Sequence, residues 1–325
     1  YWRNRGFREQ VKAILAHAVN DDRYPPDLRA RGMVELAAQH YDSAEQETLQ
    51  TLCEQAMKLA PDNLYVQVDA LQQLARLNMQ RGDHQVAWGH LMTVLELEDK
   101  HRQSNDPRLE YLFLGNHTGM GLAAMKLGKI DIARTHYSIA IQGYDRRGEP
   151  LMAAQARNNL ALLDMRAGRY AEARQHFEAI IPLAQAAGSD SNAMIYMGNL
   201  GKTLMLLGDY AGAYSYVRES MQMALRLGYK ESLLNKLETF AELAYRIDQF
   251  SIAAQLYDYL LHRSEIDGIA FWPSTIEKIQ QYVEQMQDEL GSHYDQLTEL
   301  GRKLSQDAVV ALAYSLKDHV QEASS

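Results

Sequence analysis

Arg157-Asn158-Asn159-Leu160-Ala161-Leu162-Leu163-Asp164-Met165-Arg166-Ala167-Gly168-Arg169-Tyr170-Ala171-Glu172-Ala173 reads as the end of one helix, a stop, and the start of a second. Ala156, Leu160 and Leu163 recur at i, i+4 and i+7, the spacing of one helical face. At Gly168 a glycine can take the left-handed backbone that ends helices. Beyond it Tyr170, Ala173, Phe177, Ile180 and Ile181 form a second apolar stripe, and Gly188-Ser189-Asp190 punctuates again. Upstream, Pro150 occupies a favourable first-turn position. The unit is therefore a helix A, a tight turn and a helix B.

The same stop recurs at Gly82, Gly128, Gly168, Gly208 and, with aspartate in place of glycine, Asp248, at separations of 46, 40, 40 and 40 residues. Five residues after each stop stands an alanine (Ala87, Ala133, Ala173, Ala213, Ala253), and nine after it an apolar residue (Leu91, Tyr137, Phe177, Val217, Tyr257). Eight and seven residues before each stop lies a large-small pair: Leu74-Ala75, Met120-Gly121, Leu160-Ala161, Leu200-Gly201 and Phe240-Ala241. Self-similarity at this period is the signature of a solenoid, in which each hairpin buries its apolar face on the next. The reading is an all-α, right-handed α-solenoid of six to seven antiparallel helix hairpins over 1–268, with units one and two degenerate. Residues 269–325 are read as a C-terminal cap of about three shorter helices outside the repeat register, the last opening at Ser305. The six extra residues before the fourth unit are assigned to the loop at 101–106.

With 46% hydrophobic residues in 325, the chain has ample material for a continuous core. A net charge of −9 disfavours direct binding of nucleic acid, which needs clustered Lys and Arg. No apolar run reaches the length of a membrane span. The single cysteine, Cys53, excludes an internal disulfide, suits a reducing cytoplasm, and reads as a small buried hydrophobe. The opening Tyr1-Trp2-Arg3-Asn4-Arg5-Gly6 resembles neither a signal peptide nor a translational start, so the expectation is a segment of a longer protein.

The small residue in helix A, the Gly-x-Tyr/Phe turn and the alanine after it resemble the tetratricopeptide repeat. The longer period resembles the extended-helix variety, and Arg157-Asn158-Asn159-Leu160-Ala161 through Gly168-Arg169-Tyr170-Ala171-Glu172-Ala173 resembles the repeats of kinesin light chains and related peptide-binding receptors. The tail Gly301-Arg302-Lys303-Leu304-Ser305-Gln306-Asp307-Ala308-Val309 resembles the end of the repeat region in bacterial STAND-class signalling ATPases, among them LuxR-type regulators and adenylate cyclases with an ATPase core. That resemblance implies a non-catalytic sensor or interaction region, with ATPase and output modules upstream. The tetratricopeptide resemblance implies a concave surface lined by helices A.

Three residues before the stops stand Met79, Met125, Met165, Met205 and Tyr245. Thioethers adapt to varied apolar partners, or fill the space between neighbouring helices A. Asn158 and Asn199 offer amides for an extended peptide backbone. Lys202, Arg166 and Arg246 offer charge for carboxylates. The groove candidates are thus Met125, Asn158, Met165, Arg166, Asn199, Lys202, Met205, Tyr245 and Arg246. Gly198-Asn199-Leu200-Gly201-Lys202-Thr203 ends like a phosphate loop, but Tyr196 stands where the first glycine is required and the segment lies within a helix. His90, His136 and His176 share one offset, about 10 Å apart on successive helices, too far for one metal, and read as surface positions. No catalytic motif, metal site or cofactor site is expected. The expected partner is a peptide, a protein or a small-molecule inducer. A free-standing adaptor, a peptide-pheromone receptor and a homo-oligomerisation scaffold are the alternatives.

Overall fold

The computed structural model describes residues 5–40, 45–103, 106–269, 271 and 273–323. The opening Tyr1 to Asn4, Ser104-Asn105 of the loop at 101–106, and Ala270 and Trp272 at the start of the C-terminal segment lie outside them. Every regular element among the described residues is helical. In chain order these are α1 (Arg5–Val19), α2 (Pro26–Ala37), α3 (Gln46–Leu59), α4 (Leu64–Arg81), α5 (His84–Lys100), α6 (Pro107–Lys126), α7 (Ile130–Arg146) and α8 (Pro150–Arg166). They continue with α9 (Tyr170–Ala186), α10 (Asp190–Leu206), α11 (Tyr210–Leu227), α12 (Lys230–Arg246) and α13 (Phe250–Asp267). Last come α14 (Pro273–Leu290), α15 (Tyr294–Arg302), α16 (Gln306–Tyr314) and α17 (Lys317–Glu322). The chain divides into two compact units at Leu163/Asp164, within α8. Each is a stack of antiparallel hairpins, with even-numbered helices from α2 to α14 in the helix-A role.

All five stops are built alike. Gly82, Gly128, Gly168, Gly208 and Asp248 have φ of 84, 73, 73, 84 and 59°. The amide that follows each donates to the carbonyl five residues before the stop residue's successor, as in Arg169 N to Asp164 O at 2.9 Å and Gln249 N to Ala244 O at 2.8 Å. This closure satisfies a carbonyl that the helix end would otherwise leave unpaired. Helices B end the same way at Gly148, Gly188, Gly228 and Gly268, again 40 residues apart and all with positive φ. Asp248 is the one described non-glycine residue in that region. An L side chain there is disfavoured by about 1 kcal/mol, somewhat less for aspartate. Asp248→Gly is therefore expected to stabilise the protein by about 0.5–1 kcal/mol, set against glycine's greater freedom in the unfolded chain. Urea unfolding checks it, and a loss of stability would show that the Asp248 side chain supports the turn.

The repeated apolar offsets form the core. Ala87, Ala133, Ala173, Ala213 and Ala253 are all fully buried, and Leu91, Tyr137, Phe177, Val217 and Tyr257 nearly so. The small position before each stop lets helix B approach helix A. At Gly201 a Cβ would lie 2.4 Å from Val217 Cγ2 and 3.1 Å from the Ala213 carbonyl oxygen, so no side chain fits. That contact, inside α10, accounts for the glycine of the phosphate-loop look-alike. Cys53 is buried on α3, and burial pushes its thiol up to about 12, which makes it an inert packing residue.

The C-terminal segment differs from expectation. It holds four α-helices, and the first, α14, has 18 residues, as long as the repeat helices. Lys278, Tyr282 and Gln285 of α14 bond to Glu238, Glu242 and Tyr245 of α12, each pair 40 residues apart. The register thus persists one helix further than the stop-glycine pattern indicates. Ser305 caps α16 as expected, its hydroxyl accepting from Ala308 N at 3.2 Å. No described helix is long and apolar enough to cross a membrane.

Candidate functional site

In the first unit, the N-terminal halves of α4 and α6 and the C-terminal part of α2 present a polar pocket of about 400 Å³. Three arginines reach it from three places: Arg31 on α2, Arg108 in the first turn of α6, and Arg147 just after α7. The guanidinium groups of Arg31 and Arg108 lie 5.8 and 5.1 Å from the Tyr65 ring centre, and that of Arg147 lies 5.7 Å from Tyr111. Stacking on a ring face holds a guanidinium in place while leaving its in-plane N–H groups free to meet an anion. Tyr65 is fixed in turn by donating its hydroxyl to Asp106, which also caps α6 by accepting from Arg108 N at 2.9 Å. Arg147 pairs with Glu110 at 2.8 Å. None of the described carboxylates forms an ion pair with Arg31. At the base, burial raises the Asp69 carboxyl above the usual range, a shift that the Gln73 amide opposes.

In the second unit the helix-A face is occupied by its own charges. Glu238 and Glu242 of α12 are 5 and 2% exposed. Lys202 of α10 meets Glu238 at 3.1 Å, and Lys278 of α14 meets Glu238 at 2.8 Å and Glu242 at 2.6 Å. Arg246 closes on Glu242 at 2.9 Å, and Tyr245 stacks on Tyr282 with ring centres 3.9 Å apart. Burial alone would raise the Glu242 carboxyl, but Lys278 and Lys202, with the hydrogen bonds from Lys278 and Arg246, bring it below the ordinary range. One lysine stands apart. Lys236 of α12 is 9% exposed, and no described carboxylate pairs with it. Its Nζ lies 2.6 Å from where a Cβ on Gly198 would stand, so the bare backbone of α10 makes room for it. Burial, reinforced by Lys202 and opposed by Glu238, pushes its ammonium down to about 8.

The structure brings Lys202, Tyr245 and Arg246 into that one network, anchored by α14. It corrects two methionines. Met125 and Met205 are 7 and 1% exposed and fill the core, Met125 beside Tyr137 and Leu160. The last turn of a helix A packs on the next hairpin, where a flexible thioether fills an irregular gap. Met165 is half-buried, its Sδ accepting from the Thr203 hydroxyl at 3.2 Å. Asn158 is nearly buried and donates to Asn159 at 3.3 Å, Asn199 is half-buried, and Arg166 is exposed. Of the histidine ladder, His136 is half-buried rather than superficial, and its Nδ1 lies 2.8 Å from His117 Nδ1. His176 lies 3.6 Å from the buried Asp164.

Sequence reasoning missed the arginine–tyrosine pocket. A signal existed: Tyr65 and Tyr111 stand 17 residues before Gly82 and Gly128, one repeat offset. Nothing in the sequence aligns Arg31, Arg108 and Arg147, which come from different positions in their units. Lys236 was missed too. It occupies an offset where the other units carry Ala70, Asn116, Ala156 and Tyr196, all buried.

Residues 152–226 match the model of the tetratricopeptide repeat family. No curated protein matches the sequence. Among solved structures the chain is similar to aspartyl phosphate phosphatase F from Bacillus subtilis, with TM-score 0.63 and 13% identity over 87% of this chain and 73% of that one. It is similar to NprR in complex with its cognate peptide NprX, with TM-score 0.53 and 17% identity over 98 and 93%. It is also similar to a signal transduction ATPase with numerous domains carrying a tetratricopeptide repeat sensor, from Pyrococcus horikoshii, with TM-score 0.52 and 13% identity. That match covers 97% of this chain and 46% of the ATPase. At these identities the likeness is one of fold.

Proposed function

We propose, for a chain built of tetratricopeptide repeats, that it is a non-catalytic, cytoplasmic region that binds a peptide or protein on its helix-A face. NprR, of similar fold, holds a peptide. A signalling ATPase of similar fold carries its repeats as a sensor, and this chain spans under half of it. These likenesses support reading the present chain as the sensor region of a bacterial signal-transduction ATPase or regulator. In that reading 1–268 form the binding array, and the helices from 269 onward cover its open end. A ligand would act by favouring one arrangement of the array over another.

The observation that carries the reading is the arginine–tyrosine pocket of the first unit. The helix-A charges of the second unit are largely spent on one another, whereas Arg31 pairs with none of the described carboxylates and three guanidinium groups are held on aromatic faces. Such an array suits carboxylates on a peptide, through charge-assisted hydrogen bonds. Screening the protein against a displayed peptide library should select peptides carrying Asp, Glu or a free C-terminal carboxylate. Arg31→Ala with Arg108→Ala should weaken the selected peptides at least ~10-fold, since a hydrogen bond to a charged group contributes about 1.5–3 kcal/mol. Peptides indifferent to that double variant but lost in Asn199→Ala would move the site to the second unit and overturn this placement.

A further inference from the structure

A second pocket lies away from the helix-A face, where the period lengthens from 40 to 46 residues. The insertion divides between two elements: α6 has 20 residues where α8, α10 and α12 have 17, and the α5–α6 connection is longer than the turns that precede α8, α10 and α12. The departure leaves a space of about 820 Å³ among α5, α6 and α7, a volume in the range of small-molecule sites. Leu95 of α5, Leu109 and Phe113 of α6 and Ile139 of α7 supply apolar walls.

The polar part of this pocket is built from inside. His117, 5% exposed, lies between Glu98 of α5 and His136 of α7. Its Nδ1 is 2.8 Å from His136 Nδ1, so one of the two donates and the other accepts. Its Nε2 is 3.3 Å from Glu98 Oε2. A lone pair of His117 turned to that carboxylate would be repelled, so Nε2 carries a proton toward Glu98. Desolvation, with the charge of His117 adding to it against Glu98, keeps His136 neutral by lowering it to about 4. The pair thereby fixes the orientation of Glu98. Glu98 Oε2 is buried against His117, while the Glu98 side chain as a whole is 29% exposed on the pocket lining. A half-buried carboxylate on a pocket wall can accept from a further donor, and most strongly from a cationic one. The basic residues at the mouth, Lys100, Arg102 and Arg146, are exposed, and Arg102 is committed to Asp99 at 2.6 Å. Glu98 is half-buried where those bases are exposed, and charges in water act more weakly, so Glu98 sets the sign of the site.

We propose that this pocket binds a small amphipathic amine, its ammonium on Glu98 and its apolar body between Leu95, Leu109 and Phe113. The amine site is separate from the helix-A face, and neither assignment depends on the other.

The test uses two probes with the same body and opposite heads, 2-phenylethylamine and 3-phenylpropanoate, titrated into the full chain and followed by methyl NMR and calorimetry. The amine should bind at least ~10-fold more tightly than the carboxylate, as one charge-assisted hydrogen bond implies, and should shift the methyl signals of Leu95, Leu109 and Ile139. Glu98→Gln, close to isosteric, should erase the preference for the amine. Ile139→Trp fills the space from its exposed rim at small risk to folding, and should abolish binding of the amine with Glu98 intact. Equal or tighter binding of the carboxylate, an amine that does not bind at millimolar concentration, or amine binding that survives Ile139→Trp would each overturn the proposal.

Discussion

Lys236→Met should raise the stability of the protein by on the order of 2–3 kcal/mol at neutral pH, because the wild-type ammonium is buried and no described carboxylate pairs with it. Methionine keeps the length and flexibility of the side chain and removes the charge, and Glu238 retains both Lys202 and Lys278. The pH dependence has a definite sign. The Lys236 ammonium is lowered from 10.5 to about 8 in the folded protein. Below pH about 8 the group is protonated whether folded or unfolded, and the full burden is present. Between about 8 and 10.5 the unfolded chain binds more protons, so the Lys236 contribution turns less unfavourable as pH rises. Above that window the burden is gone. The advantage of Lys236→Met over wild type should therefore be largest at pH 7 and shrink through this window. Taking the difference between the two proteins removes the common titration of buried tyrosines. Paired urea denaturations at pH 7, 9 and 10.5 measure it. A variant less stable than wild type at pH 7 would mean that the ammonium makes a favourable contact outweighing its burial.

Glu242→Leu should act in the opposite direction and more strongly. Its carboxylate is 2% exposed and joins α12 to α14 through Lys278 at 2.6 Å, while also holding Arg246 at 2.9 Å. Removing one member of a buried pair leaves the others uncompensated, typically a loss of about 3–5 kcal/mol. Lys278 keeps Glu238 at 2.8 Å, which places the expected loss toward the lower end of that range. Arg246 can turn to solvent. Hydrogen exchange should show the loss as faster opening of α12 and α14, with α4 to α6 of the first unit unaffected. A uniform change across both units, or stability within 1 kcal/mol of wild type by urea unfolding, would contradict the role assigned to the network. Glu242→Gln, which retains one acceptor, should fall between.

The helical repeat was legible because its determinants are local and recur. A glycine stop needs only its own φ and the carbonyls behind it. The alanine, large-apolar and small-residue offsets follow from the angle between consecutive side chains on a helix. That information lies within some 20 residues and appears five times, so Asp248 could be placed in the series although it is not glycine. The second glycine series, at 148, 188, 228 and 268, was equally available and adds the helix-B stops. The tail of the array was harder to read because α14 continues the register through polar contacts, Lys278 and Tyr282 to α12, instead of through the apolar code.

Sequence alone therefore determined the all-helical class, the hairpin unit, its period and the residues that pack within a hairpin. What only the tertiary structure decided was which side chains of different units meet. Met125 and Met205 share an offset with Met165, yet two are buried and one is half-buried, because exposure depends on the neighbouring hairpin as well as on the residue's own helix. Lys202 reads as a free groove cation until Glu238, 36 residues on, is found within 3.1 Å. Arg31, Arg108 and Arg147 converge only when three elements are stacked, and His117 finds Glu98 and His136 only across helices. Periodicity specifies direction about one helix axis. Electrostatics and burial depend on distance in three dimensions, and that distance is set by the stacking of whole hairpins.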